Sequence, residues 1–316
     1  MATLQPTIVR ILEAVRIQTR CGRAGHVMTV RRAVLKTIGA LLALCGMGVA
    51  TSLAVTQNPR RMPKWIAFYG ETADEEILAR YDIVILDTGF KGSIERVAAT
   101  GATVCAYLSL GEIRTSSSIF NLIDTKILLE QNPNWPGTFR LDVRQASWRA
   151  LVLDRLIPAI RDRGFTGLLY DTLDTPPYLE QLDPEGRRGL GSAAADLVRA
   201  IRMKYPDMLL LMNRGYALLP TVVRYIDGVV AESLMTSFDQ RQLGGYKWNE
   251  MSEVAAQQAL LNPAYRHGTT IPILSLDYWE PDDTNTIKEI YARERRNGYC
   301  PYVGTPLLDT IVPEPT

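Results

Sequence analysis

The sequence predicts one (β/α)8 barrel behind an N-terminal leader, on three observations. Eight short apolar runs each stop abruptly at a polar residue or a glycine: Trp65 to Tyr69, Asp82 to Leu86, Val104 to Leu110, Leu168 to Tyr170, Met208 to Met212, Gly228 to Ala231, Ile271 to Leu276 and Tyr299 to Val303. Helical patterns separate them, which is the alternation of a parallel sheet covered by helices. No glycine-rich dinucleotide fingerprint follows the first run, which counts against an open doubly wound sheet. Residues 64–316 have about the length that such a barrel uses as one domain.

The elements follow in order. Trp65 to Tyr69 opens the barrel, and Thr72 with Glu75 is a capping-box pattern for a short helix carrying Ile77 and Leu78. After the second strand, Ser93 with Arg96, Val97 and Ala98 predicts another short helix, closed by Gly101. The third strand runs into Leu110-Gly111-Glu112. A long connection holding Asn132-Pro133-Asn134-Trp135-Pro136-Gly137 then leads to a helix from Ser147 to Arg163, and loops of that length usually serve a site. Asp142 and Arg144 are expected to fix this loop. The fourth strand is Leu168 to Tyr170, continuous and apolar as a strand covered on both faces should be. It delivers Asp171 and, three residues on, Asp174. Thr175-Pro176-Pro177-Tyr178 reads as a loop, Ala193 to Tyr205 as an amphipathic helix, and Asn249 to Arg266 as a solvated helix. No final helix is evident after the eighth strand; either Thr305 to Asp309 makes a single turn or the N-terminal segment covers that side.

The front of the chain is different in kind. Residues 1–54 hold seven basic residues and one acid, and Thr37 to Pro59 carries no charge. Arg31-Arg32-Ala33-Val34-Leu35-Lys36 resembles a twin-arginine signal, and Ser52-Leu53-Ala54 offers the small residues a signal peptidase reads. The expectation is an export signal with a linker over 55–63, placing the body outside the cytoplasm, in the periplasm, the cell envelope or the medium. An uncleaved membrane anchor is the alternative, since the uncharged stretch is just long enough to span a bilayer. Without the leader, 28 basic residues face 33 acids, a net charge of about −5. That argues against a nucleic-acid partner and suits a neutral or cationic substrate. Cys105 and Cys300, the two body cysteines, lie in strands and read as buried free thiols.

Several chemistries lack material. The two histidines are His26, in the leader, and His267, too few for a histidine-rich zinc site, and neither a nucleophile elbow nor a phosphate-binding loop is present. What remains is a ring of carboxylates at strand ends: Asp87, Glu112, Asp171, Asp174, Glu232 and Asp277. Two carboxyls suit glycoside hydrolysis, one protonating the leaving oxygen while the other attacks the anomeric carbon or activates water. Oxygen ligands for Mg²⁺ or Ca²⁺ are the competing use. Tyr69, Tyr107, Tyr170, Tyr178, Trp248, Tyr278 and Trp279 lie at strand ends or nearby, where flat rings stack on sugars, and their number tips the balance toward a saccharide groove.

Trp65 with Tyr69, Tyr81-Asp82, Ala106 to Glu112, Asn134-Trp135-Pro136-Gly137, Leu141-Asp142-Val143-Arg144, Gly164 to Asp174, Asn213-Arg214-Gly215 and Ala231-Glu232-Ser233 together resemble glycoside hydrolase family 114, the endo-α-1,4-polygalactosaminidase group of (β/α)8 barrels. The likeness spans residues 64–310. It implies cleavage of galactosamine-containing polysaccharide outside the cytoplasm, with the strand-four Asp and the strand-six Glu as the catalytic pair. Here these are Asp171 and Glu232, which the strand-end reading reaches independently. Neighbouring strands lie about 4.8 Å apart, so side chains from strands four and six can flank one glycosidic bond. Asp171 is expected as nucleophile and Glu232 as general acid/base of a retaining mechanism. Tyr69, Asp87, Tyr107, Glu112, Asp174, Asn213, Asp277 and Tyr278 are the expected substrate contacts, Asn213 by the resemblance. The acids among them read equally well as caps or as ion-pair partners of Arg114 or Arg214. No cofactor is expected. Two alternatives stay open: a carbohydrate-binding barrel without turnover, and a metal-dependent hydrolase.

Overall fold

Eight parallel strands form one sheet in the order of the chain: β1 Trp65–Phe68, β2 Ile83–Leu86, β3 Thr103–Ser109, β4 Gly167–Asp171, β5 Leu209–Asn213, β6 Gly228–Glu232, β7 Ile273–Tyr278 and β8 Cys300–Gly304. The computed structural model describes residues 62–239, 245–265 and 270–315. The predicted leader, most of the linker and His267 lie outside the described residues. Each strand pairs in parallel with its successor from β1 to β8. The end strands meet through side chains: the Trp65 indole donates to the Cys300 carbonyl at 2.7 Å, and its ring meets Tyr302 edge-on at 5.7 Å. The result is a nearly closed (β/α)8 barrel.

The strands bury both faces, as their unbroken apolar runs require. Trp65, Tyr170, Tyr302 and Ile85 are essentially inaccessible in the barrel, and Trp148 is equally buried on a covering helix. Cys105 and Cys300 are free and buried, and burial raises both thiols above their ordinary value, Cys300 to about 11.

Local chemistry decides where the helices begin. Ser93 caps Ile94–Ala98 through a bond from the Arg96 amide. The cap of Glu75–Leu78 is Asp74 rather than Thr72, because its carboxylate takes the Glu76 and Ile77 amides while Glu75 turns away to accept from the Ser93 amide.

Other expectations are corrected too. The long β3–β4 connection is no irregular loop but a three-stranded antiparallel sheet of Glu112–Arg114, Leu128–Gln131 and Thr138–Leu141, its exit fixed by Arg144 gripping Asp142 through two bonds. Thr175–Leu182 is a helix, since prolines in the first turn remove only amides that a helix start leaves unbonded. Met251–Leu261 is half-buried rather than solvated, with Val254, Gln257 and Leu261 inward. After β8 the expected single turn is present, the Leu308 amide donating to the Thr305 carbonyl at 3.0 Å, and Leu308 and Val312 cover that side, Leu308 accepting from the Tyr69 amide at 2.6 Å.

Candidate active site

Three neighbouring strands end in the same way. Asp171, Asn213 and Glu232 are the last residues of β4, β5 and β6. Each is followed by a non-glycine residue in the left-handed region: Thr172 (φ 61°), Arg214 (φ 50°) and Ser233 (φ 54°). That conformation costs roughly 1–2 kcal/mol for a residue with a Cβ. In exchange it ends the strand at once. The Arg214 and Ser233 amides still complete the ladder, to Val230 and Leu276, and the chain then leaves the sheet with the preceding side chain at the barrel mouth.

One amide joins the three. Asn213 Nδ2 donates to Asp171 Oδ1 at 2.9 Å and to Glu232 Oε2 at 2.8 Å. The two hydrogens of an amide nitrogen diverge by about 120°, so those oxygens stand roughly 5 Å apart. Each carboxylate has one further side-chain donor. Tyr107 gives its hydroxyl to Asp171 Oδ2 at 2.6 Å, and Tyr278 gives its own to Glu232 Oε1 at 2.6 Å. Tyr69 packs edge-on against Tyr107, ring centres 5.1 Å apart.

Burial raises the Asp171 carboxyl most, and the Glu232 charge raises it further, to about 6 despite the bonds from Tyr107, Asn213 and the Thr172 backbone. The phenols of Tyr69, Tyr107 and Tyr278 lie well above their ordinary value, through burial first and then the charges of this same pair. They stay protonated, so the two bonded phenols act as donors. Burial opposes the charge of Arg214, but Asp174, Glu232 and Asp171 outweigh it and hold the guanidinium above its ordinary value.

The structure therefore brings together Asp171, Glu232, Asn213, Tyr69, Tyr107 and Tyr278. Asp87 stands at the rim: its Oδ1 accepts from the Gly89 amide, and its charge reaches Tyr69. Asp174 lies half-buried in the field of Arg214. Glu112 and Asp277 lie apart from this group. Glu112, 5% exposed, ties the antiparallel sheet to the next helix by accepting from Asn132 and Thr175, with no ion pair to Arg114 or Arg214. Asp277, 0% exposed, is one residue short of its strand end. Side chains alternate along a strand, so Tyr278 enters the site and Asp277 points out beneath the helix Thr284–Arg296. There it accepts from the Met235 and Thr236 amides and meets Glu294, likewise 0% exposed. Burial and then the Asp277 charge push the Glu294 carboxyl up, to about 9.

Glu294 was not read from the sequence, although a signal exists. Ile287, Ile290, Tyr291 and Glu294 share one helical stripe, and an acid on an apolar stripe is a buried acid. A second omission is the hairpin Thr236–Phe238 with Tyr246–Trp248, too short for an alternation to register. Among the described residues no three His, Cys, Asp or Glu side chains form a metal-holding group.

The family model of glycoside-hydrolase family GH114 matches residues 49–315. The glycoside hydrolase domain of PelA from Pseudomonas aeruginosa is 27% identical, with a TM-score of 0.70 over 79% of this chain and 97% of that one. Aspergillus fumigatus Ega3, in complex with galactosamine, shares the fold at 17% identity and a TM-score of 0.58, over 78% of this chain and 93% of that one. An uncharacterized protein of Deinococcus radiodurans is 24% identical over 77% of this chain and 80% of its own length. The barrel, the paired carboxylates at its mouth and a family match along almost all of the described chain lead to one assignment: this chain belongs to glycoside-hydrolase family GH114.

Proposed function

We propose that this glycoside hydrolase is exported and cleaves α-1,4-linked galactosamine-containing polysaccharide with retention of configuration, Asp171 being the nucleophile and Glu232 the acid/base. The observation that carries the mechanism is the single Asn213 amide shared by both carboxylates, because a separation near 5–5.5 Å leaves room for direct attack but none for an intervening water. An Asp171 oxygen attacks the anomeric carbon as Glu232 passes its proton to the departing glycosidic oxygen. Glu232 then takes a proton from water, whose oxygen displaces Asp171 and restores both carboxyls. Tyr107 and Tyr278 keep each acid on its own side of the bond.

The sugar rests on the polygalactosaminidase resemblance and on the galactosamine held by Ega3. Two features of this chain suit an amino sugar. Asp87 is half-exposed at the rim, and among the described residues only its Oδ1 is bonded, which leaves Oδ2 for an ammonium group. Asn213 Oδ1, buried and without a donor among the described residues, accepts a substrate hydroxyl or amine. Export rests on the leader sequence alone.

The test is oligosaccharide release from partly deacetylated galactosamine and glucosamine polymers by wild type, Asp171→Asn and Glu232→Gln. Release from the galactosamine polymer alone, as the α-anomer, and its loss in both variants are expected. An activated leaving group should rescue Glu232→Gln but not Asp171→Asn. Wild-type turnover in both variants would refute the pair, and a β-anomeric first product would refute retention. Retention of uncleaved polymer would make the barrel a binding module.

A further inference from the structure

Past the ends of β6 and β7, four aromatic side chains touch in series. Phe238 and Tyr246 face each other across the hairpin, ring centres 4.9 Å apart; Tyr246 meets Trp279 at 6.1 Å, and Trp279 meets Trp248 at 5.8 Å. Period-two alternation puts Phe238, Tyr246 and Trp248 on one face of the hairpin and sends Ser237 and Lys247 to the other. All four rings are half-buried rather than enclosed. Trp279, which touches both Tyr246 and Trp248, directly follows Tyr278, the residue that holds Glu232, and with Trp248 it rests its inner side on the cluster of Ile287, Ile290 and Tyr291.

This hairpin is pinned to the barrel by buried polar groups. Asp277 receives the Met235 and Thr236 amides, and the Thr236 hydroxyl donates to the Tyr278 carbonyl. Asn249 donates to the Ser233 and Leu234 carbonyls and accepts from Ser237. The Trp279 indole is fixed by Asp283 at 2.9 Å, and the Arg293 guanidinium lies 4.5 Å over Trp248. Rings locked at fixed angles lose little side-chain freedom on binding, which is what a recognition platform requires.

We propose that Phe238, Tyr246, Trp279 and Trp248 form a remote sugar-binding platform that takes pyranose rings of the polymer beyond the bond being cleaved, on the β6–β7 side of the cleft. The proposal rests on the polysaccharide reading above and adds the direction in which the chain lies. Sugar rings present flat C–H faces to such a surface while their hydroxyls stay in water, and Trp279 stands one residue along the chain from the tyrosine that holds Glu232.

The experiment compares Trp279→Ala and Tyr246→Leu with wild type on long galactosamine polymer and on its shortest cleaved oligosaccharide, and measures polymer binding in an Asp171→Asn background. The polymer KM should rise about tenfold for each lost ring, while kcat and short-substrate turnover stay within twofold, and polymer binding by the Asp171→Asn protein should weaken in parallel. Equal losses on both substrates, or an unchanged polymer KM, would overturn the platform. Should Trp279→Ala fail to fold, Tyr246→Leu, which exchanges a half-buried ring for another apolar side chain, decides the matter by the same ratio. Failure of the polysaccharide reading looks different: neither substrate would be cleaved or bound by wild type.

Discussion

Replacing Asn213 by alanine should move the alkaline limb of the pH–rate profile upward, an effect set by the bridge between the two carboxylates. The working pair must hold one proton, on the acid, and leave the nucleophile ionised. With the carboxyls roughly 5 Å apart, the second proton belongs to the pair, and its loss is centred near pH 6, where burial and the neighbouring charge have raised Asp171. Activity therefore declines above about pH 6 in the wild type. Asn213 stabilises the doubly ionised state by donating to both partners. A hydrogen bond to a charged group contributes about 1.5–3 kcal/mol, and one pKa unit is about 1.4 kcal/mol. Losing the bridge makes the second ionisation harder by about 1–2 units, so the limb moves to about pH 7–8. The rate at the optimum should meanwhile fall roughly 10–100-fold, because the two side chains lose their common anchor. The assay is kcat/KM on the cleaved polymer between pH 4 and 9, with Tyr107→Phe as a second variant that removes one donor and should shift the limb in the same direction. An alkaline limb that stays at pH 6 or moves down in Asn213→Ala would refute the reasoning.

Asp171→Asn should stabilise the fold at pH 7. The carboxyl is raised from 3.8 to about 6, so its stabilising contribution is complete below pH 4 and lost as pH rises through 6, a deficit of up to about 3 kcal/mol that the amide removes; urea unfolding that shows no gain at pH 7 over pH 4 would contradict this. Glu294, raised to about 9, gives the wild type a stability that falls between pH 5 and 9 by up to about 1.4 kcal/mol per unit. Glu294→Gln should flatten that slope, and parallel curves for the two proteins would contradict a raised Glu294. Gly111→Ala should cost about 3 kcal/mol or more, some 6–12 °C in Tm, because the added Cβ would come 2.2 Å from the Thr172 carbonyl oxygen; a melting curve unchanged within 2 °C would mean that the β3 and β4 ends can part.

The barrel was legible because its signal is local and repeated. Each of the eight runs needs only neighbouring residues to be apolar and a polar residue to end it, and all eight are strands. The β3–β4 connection was not legible, since its three strands hold together by antiparallel pairing among residues up to 28 apart, as Glu112 with Arg140 shows. Among the candidate acids, Asp171 and Glu232 could be found from strand ends, and Asn213 from the family motif. Glu112 could not be placed, because what decides its role is contact with Asn132 and Thr175 from two distant segments.

Strand ends alone do not make a site; parity decides. Asp171, Asn213 and Glu232 are terminal residues of their strands, whereas Asp277 is penultimate, and that one position sends it to the helix layer and gives the site Tyr278 instead. The left-handed residue after each of β4, β5 and β6 enforces the parity by stopping the strand. Glycine would adopt that conformation without strain, yet none of the three is glycine. At two of them the side chain supplies something glycine cannot. The Thr172 hydroxyl accepts the Gly111 amide at 2.8 Å and meets Ser109 at 2.9 Å, locking β3 to β4 beside Asp171. Arg214 brings a cation into the field of Asp174 and the carboxylate pair, where it offsets part of the repulsion that the mechanism requires. The strain sits where it holds the catalytic groups in place, and the covered strands behind it supply the stability that sustains it.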